Sequence, residues 1–232
     1  MSGLHLLRIP LHVPPLLRFA AGHGIRQEDE TLGYTLHAWL AALFGDGAPK
    51  PFRHIDRRGE LLAYSLHPAA DLLERARAFA PPQAWAALNA DGVASKPLPT
   101  HWRIGTRLHL EVLTCPVTRK GHEEKDLYLR ALDRLGEATP PRGEVYRDWF
   151  ARQWEGAVRL EQVELLGMSA RCRLLRRARN GHNRLKVVER PQALFGAEAV
   201  VLDGECFSEL LARGIGRHRA FGFGMVLVAP PR

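Results

Sequence analysis

Cys206-Phe207-Ser208-Glu209-Leu210-Leu211-Ala212-Arg213, then Gly214-Ile215-Gly216-Arg217-His218-Arg219-Ala220-Phe221-Gly222-Phe223-Gly224, then Met225-Val226-Leu227-Val228: this passage reads as an amphipathic helix, a basic glycine loop and a terminal strand. Four glycines in eleven residues let backbone approach a partner closely and take positive φ where needed. Arg217 and Arg219 lie between the glycine pairs, and Phe221 and Phe223 alternate into the strand. The layout suits a phosphate chain held by backbone N–H and guanidinium groups, and a flexible glycine hairpin is the plain alternative. It is not a nucleotide fingerprint. GxxxxGK[ST] is absent, and a dinucleotide GxGxxG follows a strand and opens a helix, the reverse of the order here.

Working outward, 232 residues exceed one typical domain and predict two of about 100 residues each. No apolar run approaches the ~20 residues of a membrane span. Leu4–Leu17 is broken by Arg8, Pro10, His12, Pro14 and Pro15, so it lacks the continuous core of a signal peptide. Cys115, Cys172 and Cys206 are odd in number and form no CxxC, which argues against disulfides or a zinc site. A cytoplasmic protein with no membrane contact is expected. The net charge is +8, and of 33 basic residues 28 are Arg and 5 are Lys. Arginine binds phosphate bidentately and stacks on bases, so the bias favours nucleic acid, although a GC-rich genome raises Arg as well. Clustering is more telling: Arg171, Arg173, Arg176, Arg177, Arg179, Arg184, Lys186 and Arg190 face a single acid, Glu189.

Leu4–Ile9 reads as a strand and Thr31–Phe44 as a helix ending at Gly45. Phe52–Asp56 and Leu61–Leu66 predict a hairpin, Ala69–Phe79 a second helix, and Arg107–Leu113 an alternating, half-buried strand. That order, βαββαβ, is ferredoxin-like. Helices over Asp126–Gly136 and Val145–Gln153, long strands over Val158–Arg177 and Arg184–Leu202, helix Cys206–Arg213 and strand Phe223–Val228 make a second unit. An α+β chain of tandem ferredoxin-like domains is therefore expected, residues 1–114 and 115–232. The second unit's first strand is not evident.

The ending Leu211–Met225 resembles the C-terminal signature of the CRISPR-associated repeat-RNA endoribonucleases of the CasE type, within the RAMP superfamily. Cys115-Pro116-Val117-Thr118-Arg119-Lys120-Gly121 is similar to that family's link after the first domain. Val145–Gly156 is similar to its following helix. Relatives carry a Tyr and a His three residues apart on the first helix. Tyr34 and His37 match, and their i,i+3 spacing puts both on one helix face.

The resemblance implies metal-independent scission of precursor crRNA on the 3′ side of a repeat stem-loop, leaving a 2′,3′-cyclic phosphate and a 5′-hydroxyl. It implies no cofactor, and as partners the repeat RNA and other subunits of a CRISPR effector complex. Such chemistry needs a proton acceptor, a proton donor and positive charge on the phosphorane. Glu123-Glu124 reads as a solvated loop rather than a metal site. Many relatives place a Lys shortly after the His, where this chain has Ala41 and Ala42, so the charge is sought at Arg26, Arg53 or Arg217, with His23 nearby. The divergence points outside the standard type I-E enzymes, toward the type IV processing endonuclease.

Candidate catalytic residues are thus His37, Tyr34 and Arg26. Candidate RNA-binding residues are Arg171, Arg173, Arg176, Arg177, Arg179 and Lys186 on the basic stretch, and Gly214, Gly216, Arg217, Arg219, Gly222 and Gly224 in the loop. An A-form stem hides its base edges, so arginines there track phosphates. A non-catalytic RNA-binding subunit of the same complex is the alternative. An RNA-recognition module with aromatics on neighbouring strands lacks its signatures.

Overall fold

The computed structural model describes residues 3–121, 123–177 and 184–231. Two antiparallel four-stranded sheets organise it. The first contains β1 (His5–Pro10), β2 (Phe52–Ile55), β3 (Glu60–Ser65) and β4 (Ala94–Pro97) in the order β2-β3-β1-β4. Helices α1 (Val13–Gly22), α2 (Gly33–Phe44), α3 (Ala69–Phe79) and the short α4 (Pro82–Trp85) connect them. Leu36, Trp39, Leu40 and Leu43 recur at helical spacing on α2 and pack on Leu7, Ile9, Leu61 and Ala63 of the sheet. The Trp39 indole donates to the Ala84 carbonyl at 2.9 Å, tying α2 to α4. Pro14 and Pro15, which break the apolar run in the sequence, open α1 instead, where a missing N–H costs nothing.

The second sheet has β5 (Arg107–Thr114), β8 (Val158–Arg177), β9 (Leu185–Val201) and β10 (Val226–Ala229) in the order β10-β5-β9-β8. Between β5 and β8 come the hairpin β6 (Val117–Lys120) and β7 (Glu123–Asp126), then α5 (Leu127–Leu135) and α6 (Arg142–Arg152); α7 (Gly204–Arg213) precedes β10. Leu108, Leu110 and Val112 alternate inward with Ala193, Phe195 and Ala197, and Phe150 of α6 stacks on Phe195 with ring centroids 4.3 Å apart.

Numbered within its own unit, each sheet has the strand order 4-1-3-2 of a ferredoxin-like fold, so the tandem architecture is present. One expectation is corrected. Arg107–Thr114 does not close the first sheet; it pairs with β9 and β10 and is the first strand of the second unit, the one not evident in the sequence. The first sheet is closed by Ala94–Pro97, which pairs with β1. Alternation fixes which face of a strand is buried but not which strand lies beside it. Sheet membership divides the chain within residues 98–106 rather than at 114/115, and we propose that as the unit boundary. No helix among the described residues is long and apolar enough to cross a membrane.

Candidate active site

Residues Asp29–Gly33 set up the first wall of the site. Leu32 takes a left-handed conformation (φ 52°) at the start of α2 and offers no side-chain cap. Buried Asp29 supplies one from outside the helix: its carboxylate accepts from the Tyr34 amide at 2.8 Å and from the Thr31 hydroxyl at 3.0 Å. A carboxylate at a helix N-terminus also meets the positive end of the dipole. Tyr34 is thereby fixed, and His37 follows one turn later with the ring centroids 6.3 Å apart.

The glycine loop is the opposite wall. Phe221 stacks on Tyr34 at 6.0 Å and meets His37 edge-on at 5.4 Å, while Phe223 points the other way into a cluster with Cys115, Val117, Cys172 and Leu174. Gly33 permits this approach, since a Cβ there would lie 2.5 Å from the Phe221 carbonyl oxygen. The loop's own glycines chiefly serve its closure. The Ile215 amide donates to the Gly224 carbonyl at 2.8 Å, and a Cβ on Gly214 (φ 71°) would come within 2.7 Å of the same oxygen.

Glu124, expected in a solvated loop, is the hub of this wall. Its side chain is 7% exposed and accepts from Arg217 Nε at 2.7 Å, Arg190 Nε at 2.9 Å, Arg176 Nη1 at 3.0 Å and His218 Nε2 at 3.0 Å. Burial alone would raise its pKa, but hydrogen bonds from His218, Arg217 and Arg190 outweigh burial and hold the carboxylate far below the ordinary range. His218 takes a left-handed conformation (φ 61°) with its side chain 3% exposed, so its contact with Glu124 holds a strained turn in place. Two residues beyond Glu124, Asp126 caps α5 at the Tyr128 amide and accepts from the Tyr146 hydroxyl, each at 2.8 Å, which anchors the hairpin.

Lys50, Arg176, Arg213, Arg217, Arg219 and Phe221 line an open groove of about 550 Å³ along the glycine loop. Partial burial, then the positive charges of Lys50 and Arg177, lower the pKa of His37 below its ordinary 6.5, so its imidazole is neutral at pH 7. Lys50 is the residue that sequence reasoning missed, and nothing local to Pro49-Lys50-Pro51 marks it. Only the fold brings it beside a helix more than a turn earlier in the chain.

The other expected residues divide. Leu174 packs toward Phe223 and Leu175 toward Tyr34 and Ile25, so the end of β8 runs between the two walls. The strand's alternation then turns Arg176 to Glu124 and the groove, while the charge of Arg177 reaches His37. Arg171, Arg173, Arg177 and Lys186 are exposed; the Arg173 backbone pairs with Glu30, donating to its carboxylate at 3.1 Å and accepting from its amide at 3.0 Å. Arg179 lies outside the described residues. Arg26 is not brought to Tyr34 and His37: its side chain is 72% exposed, with Glu28 at 3.8 Å. His23 is engaged at the end of α1, its Nδ1 2.8 Å from the Phe19 carbonyl. Arg53 is committed to Glu111 at 2.7 Å, joining the two sheets. Of the three arginines in which the charge was sought, Arg217 alone stands at the groove.

Solved structures share this architecture. A CRISPR endoribonuclease Cse3 bound to a 19-nucleotide RNA superposes with a TM-score of 0.66 at 20% identity, covering 98% of this chain and 100% of that one. Cas6e from Escherichia coli K-12 gives 0.59 at 16%, with 98% and 100% covered. A chain of a CRISPR RNA-guided surveillance complex gives 0.55 at 17%, with the same coverage. No curated protein sequence matches. The family described as CRISPR associated protein matches residues 4–230, nearly the whole length, and the chain belongs to it.

Proposed function

We propose that this protein binds CRISPR repeat stem-loops and cuts precursor crRNA to guide length, working with other subunits of a CRISPR effector complex. The contact of His37 with Phe221 of the glycine loop, beside Lys50 at the edge of a basic groove, carries the reading. A phosphate binder has no use for a neutral imidazole held there; a ribonuclease does. Neutral His37 takes the proton of the 2′-hydroxyl, whose oxygen attacks the adjacent phosphorus. The bond from phosphorus to the 5′-oxygen breaks, and that oxygen takes a proton from water in the open groove. A 2′,3′-cyclic phosphate and a 5′-hydroxyl result. Lys50, Arg177 and Arg217 oppose the charge growing on the phosphorane, and Tyr34 orients the phosphate. With that charge supplied by side chains, the scheme calls for no metal ion. The test is purified protein with a stem-loop repeat RNA in EDTA, with the product ends mapped. A single cut 3′ of the stem with a cyclic phosphate end is expected. Bound, uncut RNA would favour a non-catalytic subunit, and cutting that requires a divalent ion would overturn the metal-independent scheme.

A further inference from the structure

The glycine loop borders a second space. Next to the groove lies a recess of about 360 Å³ lined by Trp149 and Gln153 of the α6 end and by Arg213, Gly216, Arg217 and Arg219. The three arginines and Gly216 line the groove as well, so the two spaces adjoin at this part of the loop and share its phosphate-binding groups. Gly216 (φ 72°) lets the loop lie against Trp149, since a Cβ there would press within 3.1 Å of the outer edge of the ring. Gln153 stands one helical turn after Trp149, its Nε2 3.3 Å from the Trp149 carbonyl, which directs its side chain along the same wall. Trp149 is only partly buried although it borders the second core. An aromatic ring, an amide and guanidinium groups around a recess of this size match one ligand chemistry: a single nucleobase with its phosphate outside.

We infer that this recess is a nucleobase pocket, in which an unpaired nucleotide flanking the scissile phosphate turns its base over Gly216 and stacks it on Trp149. Arg217 and Arg219, which line both spaces, hold the backbone while Gln153 reads the base edge. The cleavage position is then fixed by one nucleotide as well as by the stem. The inference rests on the RNA-cleaving reading and names a subsite of it.

The test is an abasic walk. Stem-loop RNAs, each lacking one base at successive unpaired positions beside the cut, are bound to the unaltered protein and to Trp149→Leu and Trp149→Phe. One abasic position is expected to weaken binding to the unaltered protein roughly tenfold, within the range of one stacked base. Trp149→Leu should cost a similar factor with intact RNA and almost nothing more with that abasic RNA, while Trp149→Phe, which keeps a stacking face, should recover most of the affinity. Penalties that multiply, or no sensitive position at all, would overturn the pocket while leaving cleavage intact. Should Trp149→Leu not fold, the walk on the unaltered protein and the Phe variant still decide. Failure of the unaltered protein to bind any stem-loop RNA would overturn the parent reading and this inference together.

Discussion

His37 and Lys50 are separable at the level of single side chains. His37→Ala is expected to lower the single-turnover cleavage rate by roughly 10²–10⁴-fold while binding stays within about tenfold, because only a proton-transfer step is removed. Tyr34→Phe should be milder. The pH profile adds a sign. A base with its pKa held below 6.5 is fully neutral at neutral pH, so the rate should climb with pH through that lowered value and be flat by about pH 7.5. Lys50 is among the causes of the lowering, so Lys50→Ala should move the midpoint upward and also slow the plateau by about 10²–10³-fold if the ammonium meets the phosphorane. A Lys50→Ala profile that overlays the parent's would remove Lys50 from the site.

At the scale of elements, the glycine loop depends on a carboxylate from another hairpin. Replacing Glu124 by Gln leaves three guanidinium groups and His218 gathered without their counter-charge, and breaking a buried cluster of this kind costs about 3 kcal/mol or more. A clear fall in melting temperature at pH 7 is expected, with cleavage lost before binding because Phe221 loses its seat against His37. The sign of the pH effect follows from the depressed pKa: the stabilisation is complete above the unfolded-state value of about 4.5 and is lost as pH falls toward the folded one. The parent should therefore lose stability below that pH more steeply than Glu124→Gln, and parallel acid-unfolding curves would argue against the hub. Periodicity made the helices and long strands legible, Ala69–Phe79 and Val158–Arg177 to the residue. Glu124 was illegible because an acid in Arg119-Lys120-Gly121-His122-Glu123-Glu124-Lys125 reads as one more solvated charge until the hairpin is laid over the arginines. That Tyr34 and His37 are neighbours was legible because both lie within one helical turn. The charge of Lys50 beside His37 was not, because it comes from a loop beyond that helix.

Across the whole molecule the exposed basic stretch is distinct from the arginines gathered around Glu124. Arg171, Arg173 and Arg177 are exposed, whereas Arg176 and Arg190 are committed to Glu124. Replacing the exposed three by Ala should weaken binding to many stem sequences alike and flatten log K against log salt by roughly 0.7–0.9 for each phosphate no longer neutralised. An unchanged slope would make that stretch a solvated face. The site itself belongs to neither unit alone. α2 and Lys50 come from the first, and the glycine loop and the end of β8 from the second. The Tyr64 hydroxyl donating to the Val226 carbonyl at 2.7 Å and the Arg53–Glu111 pair hold the units together nearby. Gly33 tests that junction. Alanine in the first turn of a helix is ordinarily favourable by about 0.5–1 kcal/mol over glycine. Here its Cβ would meet the Phe221 carbonyl at 2.5 Å, so the loop must back away from α2. Misplacement of about 1 Å at a reacting centre costs on the order of 10²-fold. Gly33→Ala should therefore cut at least tenfold more slowly while its salt slope for binding, set by exposed arginines whose charges the substitution leaves in place, stays that of the parent. A Gly33→Ala protein that cleaves at the parental rate would show that the closeness of α2 and the loop is packing, not catalysis.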